Sequence, residues 1–204
     1  MYAKRWGCRI TDAPQLSQDQ PSAWVSRFAA LVPAGLVLDL ACGGGRHARL
    51  FAALGHPVLA VDRSMSALEQ TQGETITGLC FDLEHEAAAT HPDWPLTPER
   101  FAGIVVTNYL HRPLFAPLLR SLAPGAVLIY ETFAQKNGSF GKPSDPDFLL
   151  APGELLDTVR TVAGLRVIAY EDGYVATPRP AMVQRLCIVK TSSGALPDPL
   201  QLAL

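Results

Sequence analysis

Three carboxylates and a run of glycines are the residues whose types and spacing best suit chemistry. In Val37-Leu38-Asp39-Leu40-Ala41-Cys42-Gly43-Gly44-Gly45-Arg46-His47-Ala48, an apolar run ends in an acid, breaks at glycines and resumes as helix-competent sequence. That pattern predicts a strand, a turn nearly free of side chains, and a helix start. Glycine lets the backbone pass close to a ligand, and the unpaired N–H groups of the helix start face whatever lies there. Asp62 and Asp82 each end another apolar run. A carboxylate accepts at both oxygens, so Asp62 can take two ribose hydroxyls and Asp82 an adenine exocyclic amine.

Two cofactors fit this pattern, and they differ in charge. Read as Gly43-x-Gly45-x-x-Ala48, with Asp62 about 20 residues on, the turn is a dinucleotide fingerprint. Read from Asp39, it is acid-x-Ala-x-Gly-x-Gly, which resembles the acid-x-Gly-x-Gly-x-Gly of class I S-adenosylmethionine methyltransferases, with Ala41 replacing the first glycine. Asp39 separates the two. A carboxylate at the strand exit repels a pyrophosphate when little solvent screens the pair. The ammonium and sulfonium of S-adenosylmethionine are attracted by the same acid. A purely structural turn is the third reading.

These residues need a frame, and the chain supplies an alternation. Strands are predicted at 36–41, 57–62, 76–82, 101–108 and 126–133. Helices are predicted at 46–54, at 64–72 with Ser64 as N-cap, at 112–122 and at 152–162. Strands alternating with helices imply a doubly wound, mostly parallel α/β sheet. The final strands, 165–171 and 183–190, have no helix between them, so one antiparallel strand is expected. Ahead of the domain (36–190), residues 1–20 read as irregular. Residues 21–32 read as a short amphipathic helix carrying Trp24 and Phe28, either covering a sheet edge or acting as a lid. Residues 191–204 read as a mobile tail.

Ligands of such sheets bind beyond the carboxyl ends of the strands. The fourth strand delivers Asn108-Tyr109-Leu110-His111-Arg112 there, and the fifth delivers Glu131. His111 and Arg112 fall where a transferred group would point. Glu131 can be a base, a hydrogen-bond acceptor for substrate, or a partner for Arg112. Residues 135–152 are long for a connection, as lids and binding loops are, and they contain Phe140. Arg179, between two prolines, can add positive charge.

From about Val37 to Lys190 the chain resembles the class I S-adenosylmethionine methyltransferases, and among them the small bacterial tellurite-resistance (TehB-like) branch. The resemblance rests on Leu38-Asp39-Leu40-Ala41-Cys42-Gly43-x-Gly45-Arg46, on Asp62 and Asp82, and on Pro124-Gly125. It extends to Gly153-Glu154-Leu155 and Tyr170-Glu171-Asp172. It implies a seven-stranded sheet with the last strand antiparallel. The expected cofactor contacts are Asp39, Ala41, Cys42, Gly43, Gly45, Arg46, Asp62, Arg63, Asp82, Leu83 and Asn108. The expected catalytic residues are His111, Arg112 and Glu131, with Tyr109, Phe140 and Arg179 toward the substrate. The compact chain, its mild acidity and the aromatic loop lead us to expect in-line methyl transfer to a small thiol, chalcogen oxyanion or carboxylate, in which positioning dominates. A hydroxyl or amine acceptor would need a base, His111 or Glu131. An RNA or protein methyltransferase and a nicotinamide-dependent oxidoreductase are the alternatives.

Composition narrows the classes. The 204 residues suit one domain, and a net charge of −2 offers no general attraction to nucleic acid. Cys8, Cys42, Cys80 and Cys187 lack metal-site spacing. No stretch suits a membrane span or signal peptide, so a cytoplasmic protein is expected.

Overall fold

The computed structural model describes residues 4–6 and 20–191. The expected mobile tail lies almost wholly outside them. The strands are β1 (Lys4–Trp6), β2 (Val37–Leu40), β3 (Val58–Asp62), β4 (Ile76–Phe81), β5 (Phe101–Thr107), β6 (Leu122–Phe133), β7 (Leu165–Val175) and β8 (Ala181–Lys190). They form one sheet in the order β1-β4-β3-β2-β5-β6-β8-β7. The pairs from β1 to β6 are parallel, whereas β8 runs antiparallel to both β6 and β7.

The seven expected strands are therefore present, with the last one antiparallel. One correction concerns Lys4–Trp6, expected to be irregular, which adds a short edge strand along β4. It satisfies backbone groups that an edge strand would leave open. A second concerns β6, expected to start at residue 126. It is continuous from Leu122, with its irregularity confined to the pairing near Phe101 and Gly103. Gly125 takes φ +82° there, which only glycine adopts freely.

Among the described residues the α-helices are α1 (Ala23–Phe28), α2 (Arg46–Ala53), α3 (Met65–Glu69), α4 (Phe115–Ser121) and α5 (Glu154–Arg160). Alternating strand residues send Val37 to one face and Leu38 and Leu40 to the other. One core layer joins Val37 to Trp24, Val25 and Phe28 of α1 and to Ala48 and Phe51 of α2. The opposite layer packs Leu38 and Leu40 with Leu118 of α4 and Leu155 and Val159 of α5. Among the described residues no helix is long and apolar enough to cross a membrane.

This winding places the site. The chain runs outward from β2 through β3 and β4, then returns to β2's other side to lay down β5 and β6. The crevice of a doubly wound sheet opens at that reversal, between β2 and β5 at their carboxyl ends.

Candidate active site

The β2–α2 turn is built around Asp39, which is 1% exposed. Its Oδ2 accepts from the backbone N–H of Ala48 at 2.8 Å, bracing the strand end against the first turn of α2. Burial pushes its carboxyl up to about 8, against the opposing pull of the Ala48 N–H and of Arg46. Ala41, Gly43 and Gly45 all take left-handed backbone, with φ of +53°, +52° and +74°. The glycines do different jobs. A methyl group on Gly43 would meet nothing within 4 Å, so the turn is open there. One on Gly45 would come within 2.3 Å of the Thr71 side chain. Thr71 also donates its hydroxyl to the carbonyls of Gly43 and Ala67, tying the turn to α3. Cys42 is buried, and desolvation, with Asp39 and Asp62 nearby, holds its thiol well above the usual range. It is a packed thiol.

Asp62 bridges two backbones. Its Oδ2 accepts from Gly43 N and its Oδ1 from Ser64 N, each at 2.8 Å. Each oxygen keeps a further lone pair for a ligand. Asp82 is buried, and its Oδ1 accepts from the Glu84 N–H at 3.0 Å. Leu83 belongs to the core layer under the segment after β4, whereas Arg63 is exposed beside Asp62.

A polar lattice not expected from the sequence occupies the other side of β2. His47 is 1% exposed, and its Nε2 accepts from Ser22 N at 3.1 Å. Its Nδ1 lies 3.4 Å from the Thr107 hydroxyl at the end of β5. That arrangement assigns the proton to Nδ1. Burial, with Arg46 adjacent, lowers the ring to about 3, so it is neutral at ordinary pH. Ser22 caps α1 by accepting from Trp24 N at 3.1 Å, and its hydroxyl donates to Glu131 Oε1 at 3.0 Å. Arg185 donates to Glu131 Oε2 at 2.5 Å and to Glu171 at 3.1 Å. Glu131 is therefore paired with Arg185, not with Arg112.

These bonds also locate α1. Trp24 donates its indole N–H to the Leu186 carbonyl at 3.4 Å, placing the helix on the sheet face over β8 rather than over an edge. Serine caps and a histidine beside the glycine turn were visible signals. Their pairing across 109 and 25 residues was not.

On the acceptor side, Asn108 is exposed with φ +55°, a conformation asparagine tolerates better than most residues. Tyr109 is half-buried. Desolvation, together with Glu84, raises its hydroxyl. The Tyr109 carbonyl accepts from Tyr130 Oη at 2.9 Å. His111 is partly exposed, and its ring makes no hydrogen bond among the described residues.

Arg112 is fully engaged. Nε and Nη2 grip Glu154 at 2.6 and 3.1 Å, while Nη1 and Nη2 donate to the carbonyls of Asp147 and Leu149. It clamps the long loop to the start of α5. Phe140 is exposed and packs on Tyr174, with ring centres 5.1 Å apart. The Arg179 guanidinium carbon lies 5.5 Å from the Phe133 ring centre.

Comparison with known proteins agrees with this layout. Residues 37–125 match the family model described as "Methyltransferase domain". No curated protein matches the chain. Solved structures do. TehB from Haemophilus influenzae matches with a TM-score of 0.62 and 17% identity, over 83% of this chain and 61% of that one. An S-adenosylmethionine-dependent methyltransferase from Mesorhizobium loti gives 0.61 and 17%, over 82% and 98%. The 1,6-didemethyltoxoflavin-N1-methyltransferase of Burkholderia thailandensis, with 1,6-didemethyltoxoflavin and S-adenosylhomocysteine bound, gives 0.57 and 20%, over 83% and 77%. Identities this low establish the fold, and the matched stretch adds the domain that holds the acid–glycine turn. Residues 37–125 thus match a methyltransferase domain, and the sheet that carries them has the fold shared by these S-adenosylmethionine-dependent methyltransferases.

Proposed function

We propose that this enzyme works in the cytoplasm and methylates a small-molecule acceptor bound between the β5–α4 loop and the end of β6. The observation that carries the reading is the double attachment of Ser22. Its N–H is held by His47 of α2 and its hydroxyl by Glu131 of β6. The start of α1 is thereby strapped beside the carboxyl ends of the strands, which narrows the crevice where a macromolecular acceptor would need an open approach.

The residues present suit the donor. The buried Asp39 makes no ion pair among the described residues, and a cation directly beside it would relieve its desolvation. The open space over Gly43 admits a ligand against the backbone. In this reading Asp39 and residues 41–45 hold the methionine end, and Asp62 accepts the ribose hydroxyls. Asp82, Leu83, Arg63 and Asn108 border the rest. When bound, S-adenosylmethionine supplies an electrophilic methyl group on a sulfonium, displaced in line. His111, with a free ring, is the group best able to accept an acceptor proton or orient a lone pair. Glu131, with both oxygens engaged, acts as a fixed anion. Arg112 acts through the loop it clamps.

Calorimetry with S-adenosylmethionine, S-adenosylhomocysteine and NAD tests the donor. The first two should bind and NAD should not. A donor-consumption screen over thiols, selenite, tellurite, small acids and RNA then tests the acceptor. Turnover confined to RNA would overturn the small-molecule reading.

A further inference from the structure

The sheet register lays one charged row across three strands. Arg185 of β8 stands directly opposite Glu131 of β6 on one side and Glu171 of β7 on the other. Opposite charges on facing strands attract, and here the side chains complete both pairs. Arg185 Nε donates to Glu131 Oε2 at 2.5 Å, and Nη1 donates to Glu171 Oε2 at 3.1 Å. The side chains of Arg185 and Glu131 are only 16% and 10% exposed. Removing either partner therefore leaves a largely desolvated charge without compensation.

The row lies under α1. Cys187 and Val189 share a core layer with Trp24, and strand alternation puts Arg185 on their face. Its guanidinium carbon sits 5.9 Å from the Trp24 ring centre. Both ends of α1 reach the carboxylates that Arg185 joins. At the start, the Ser22 hydroxyl donates to Glu131 Oε1 at 3.0 Å. Toward the end, Arg27 Nη1 lies 3.8 Å from Glu171 Oε1. The backbone N–H of Ser22 meets His47, in the first turn of α2 and so next to the glycine turn. By taking Oε2, Arg185 leaves Oε1 as the oxygen for Ser22, and its charge lets Glu131 stay ionised there.

We propose that Arg185 is a positioning residue for the methyl-transfer site. It acts through Glu131 and Ser22 rather than on the ligand, holding the start of α1 against the β2–α2 turn and slowing escape of the bound donor. The inference rests on the methyl-transfer reading and adds to it what keeps the crevice closed.

The test measures S-adenosylhomocysteine binding by calorimetry and stopped flow in Arg185→Ala, Arg185→Lys, Ser22→Ala and the Ser22→Ala/Arg185→Ala double variant. Arg185→Ala should raise Kd by about tenfold, the scale of one hydrogen bond to a charged group. The loss should come from faster dissociation, with the binding stoichiometry kept. Arg185→Lys keeps the charge without the fork and should lose less. Ser22→Ala should weaken binding too, and adding Arg185→Ala to it should bring little further change, as expected for residues acting in one chain of contacts. In a Trp6→Phe/Trp94→Phe background, where Trp24 is the remaining tryptophan, Arg185→Ala should expose Trp24 to acrylamide quenching. Bound S-adenosylhomocysteine should restore its protection. A merely structural role would instead lower the fraction of protein that binds at an unchanged Kd, and that result would overturn the proposal. So would full additivity of the two alanine substitutions. Should Arg185→Ala fail to fold, Arg185→Lys decides: binding weakened a few-fold supports the proposal, and a wild-type Kd overturns it. Failure of the wild type to bind S-adenosylhomocysteine at all would strike the methyl-transfer reading itself.

Discussion

Asp39 accepts a hydrogen bond from the Ala48 backbone N–H at 2.8 Å while almost wholly buried. One carboxyl thus joins β2 to α2 and waits beneath the turn for a positive charge. Burial raises it from 3.8 to about 8. The folded state then binds a proton more tightly than the unfolded chain. Stability from this group is greatest below 3.8 and is lost as pH rises toward about 8. Asp39→Asn keeps an acceptor for Ala48 without the charge. In denaturant titrations the variant should lose this pH slope and equal or exceed the wild type above the folded-state pKa. Its donor affinity at the same pH should fall by about tenfold, the scale of one charge–charge contact.

Donor binding should also move a proton. A cation beside Asp39 favours the ionised carboxylate, so a group protonated at pH 7 in the free enzyme gives up its proton on binding. Calorimetry of S-adenosylmethionine binding in two buffers of different ionisation enthalpy should show net proton release near neutrality, and none for Asp39→Asn. Equal proton release in the two proteins would locate the proton elsewhere.

His47 has the opposite pH signature. Burial lowers it from 6.5 to about 3, so the unfolded chain binds the proton more readily. Its stabilising contribution is complete above 6.5 and is lost as pH falls through that window. His47→Gln should flatten the acid limb of the stability curve. It should also cost roughly 1–3 kcal/mol at neutral pH through the Ser22 N–H and the Thr107 hydroxyl left without their partner. Chemical denaturation at pH 7 and at mildly acid pH checks both effects.

How much of this was legible follows from distance along the chain. The strands show as apolar runs, and the reversals show as glycine, proline and acid clusters, so the sheet could be read locally. Asp39, Asp62 and Asp82 could be read because each closes its own run. Long-range partners could not. Arg112 meets Glu154 across 42 residues, and Ser22 meets Glu131 across 109. Nothing in the local pattern separates Glu154 from Glu131 as the partner of Arg112. Thr71 shows no local sign that it fills the space over Gly45. Lys4–Trp6 is too short for an alternating pattern to emerge, and Pro124-Gly125 reads as a break although β6 runs through it.

Gly43 and Gly45 should separate binding from folding. Gly45→Ala places a methyl 2.3 Å from Thr71 at φ +74°. Overpacking costs roughly 1–3 kcal/mol and the left-handed backbone about 1–2 more. Adding Thr71→Ala should recover the overpacking part. Gly43→Ala meets open space, so it should lose only about 1–2 kcal/mol from the left-handed backbone. Its methyl would occupy room left for the donor. Thermal melts alone and with S-adenosylhomocysteine should show Gly43→Ala folded but poorly stabilised by ligand. Gly45→Ala should be destabilised in both conditions.

Arg112 and His111 are neighbours in sequence but not in role, and substitution should show it. Arg112 spends its guanidinium on Glu154 and on the carbonyls of Asp147 and Leu149. Arg112→Ala should therefore loosen the loop before α5, raising amide exchange across residues 145–151. The pair is partly exposed, so the stability loss should be about 1 kcal/mol, with any loss of rate following from the loop. His111 holds nothing in place, so His111→Ala should leave the melting temperature and loop exchange unchanged while lowering kcat. Its effect should be largest for acceptors that must shed a proton, and small for those already ionised. If His111→Ala is silent for both kinds of acceptor, the β5–α4 loop contributes a wall to the crevice and the proton leaves by another route.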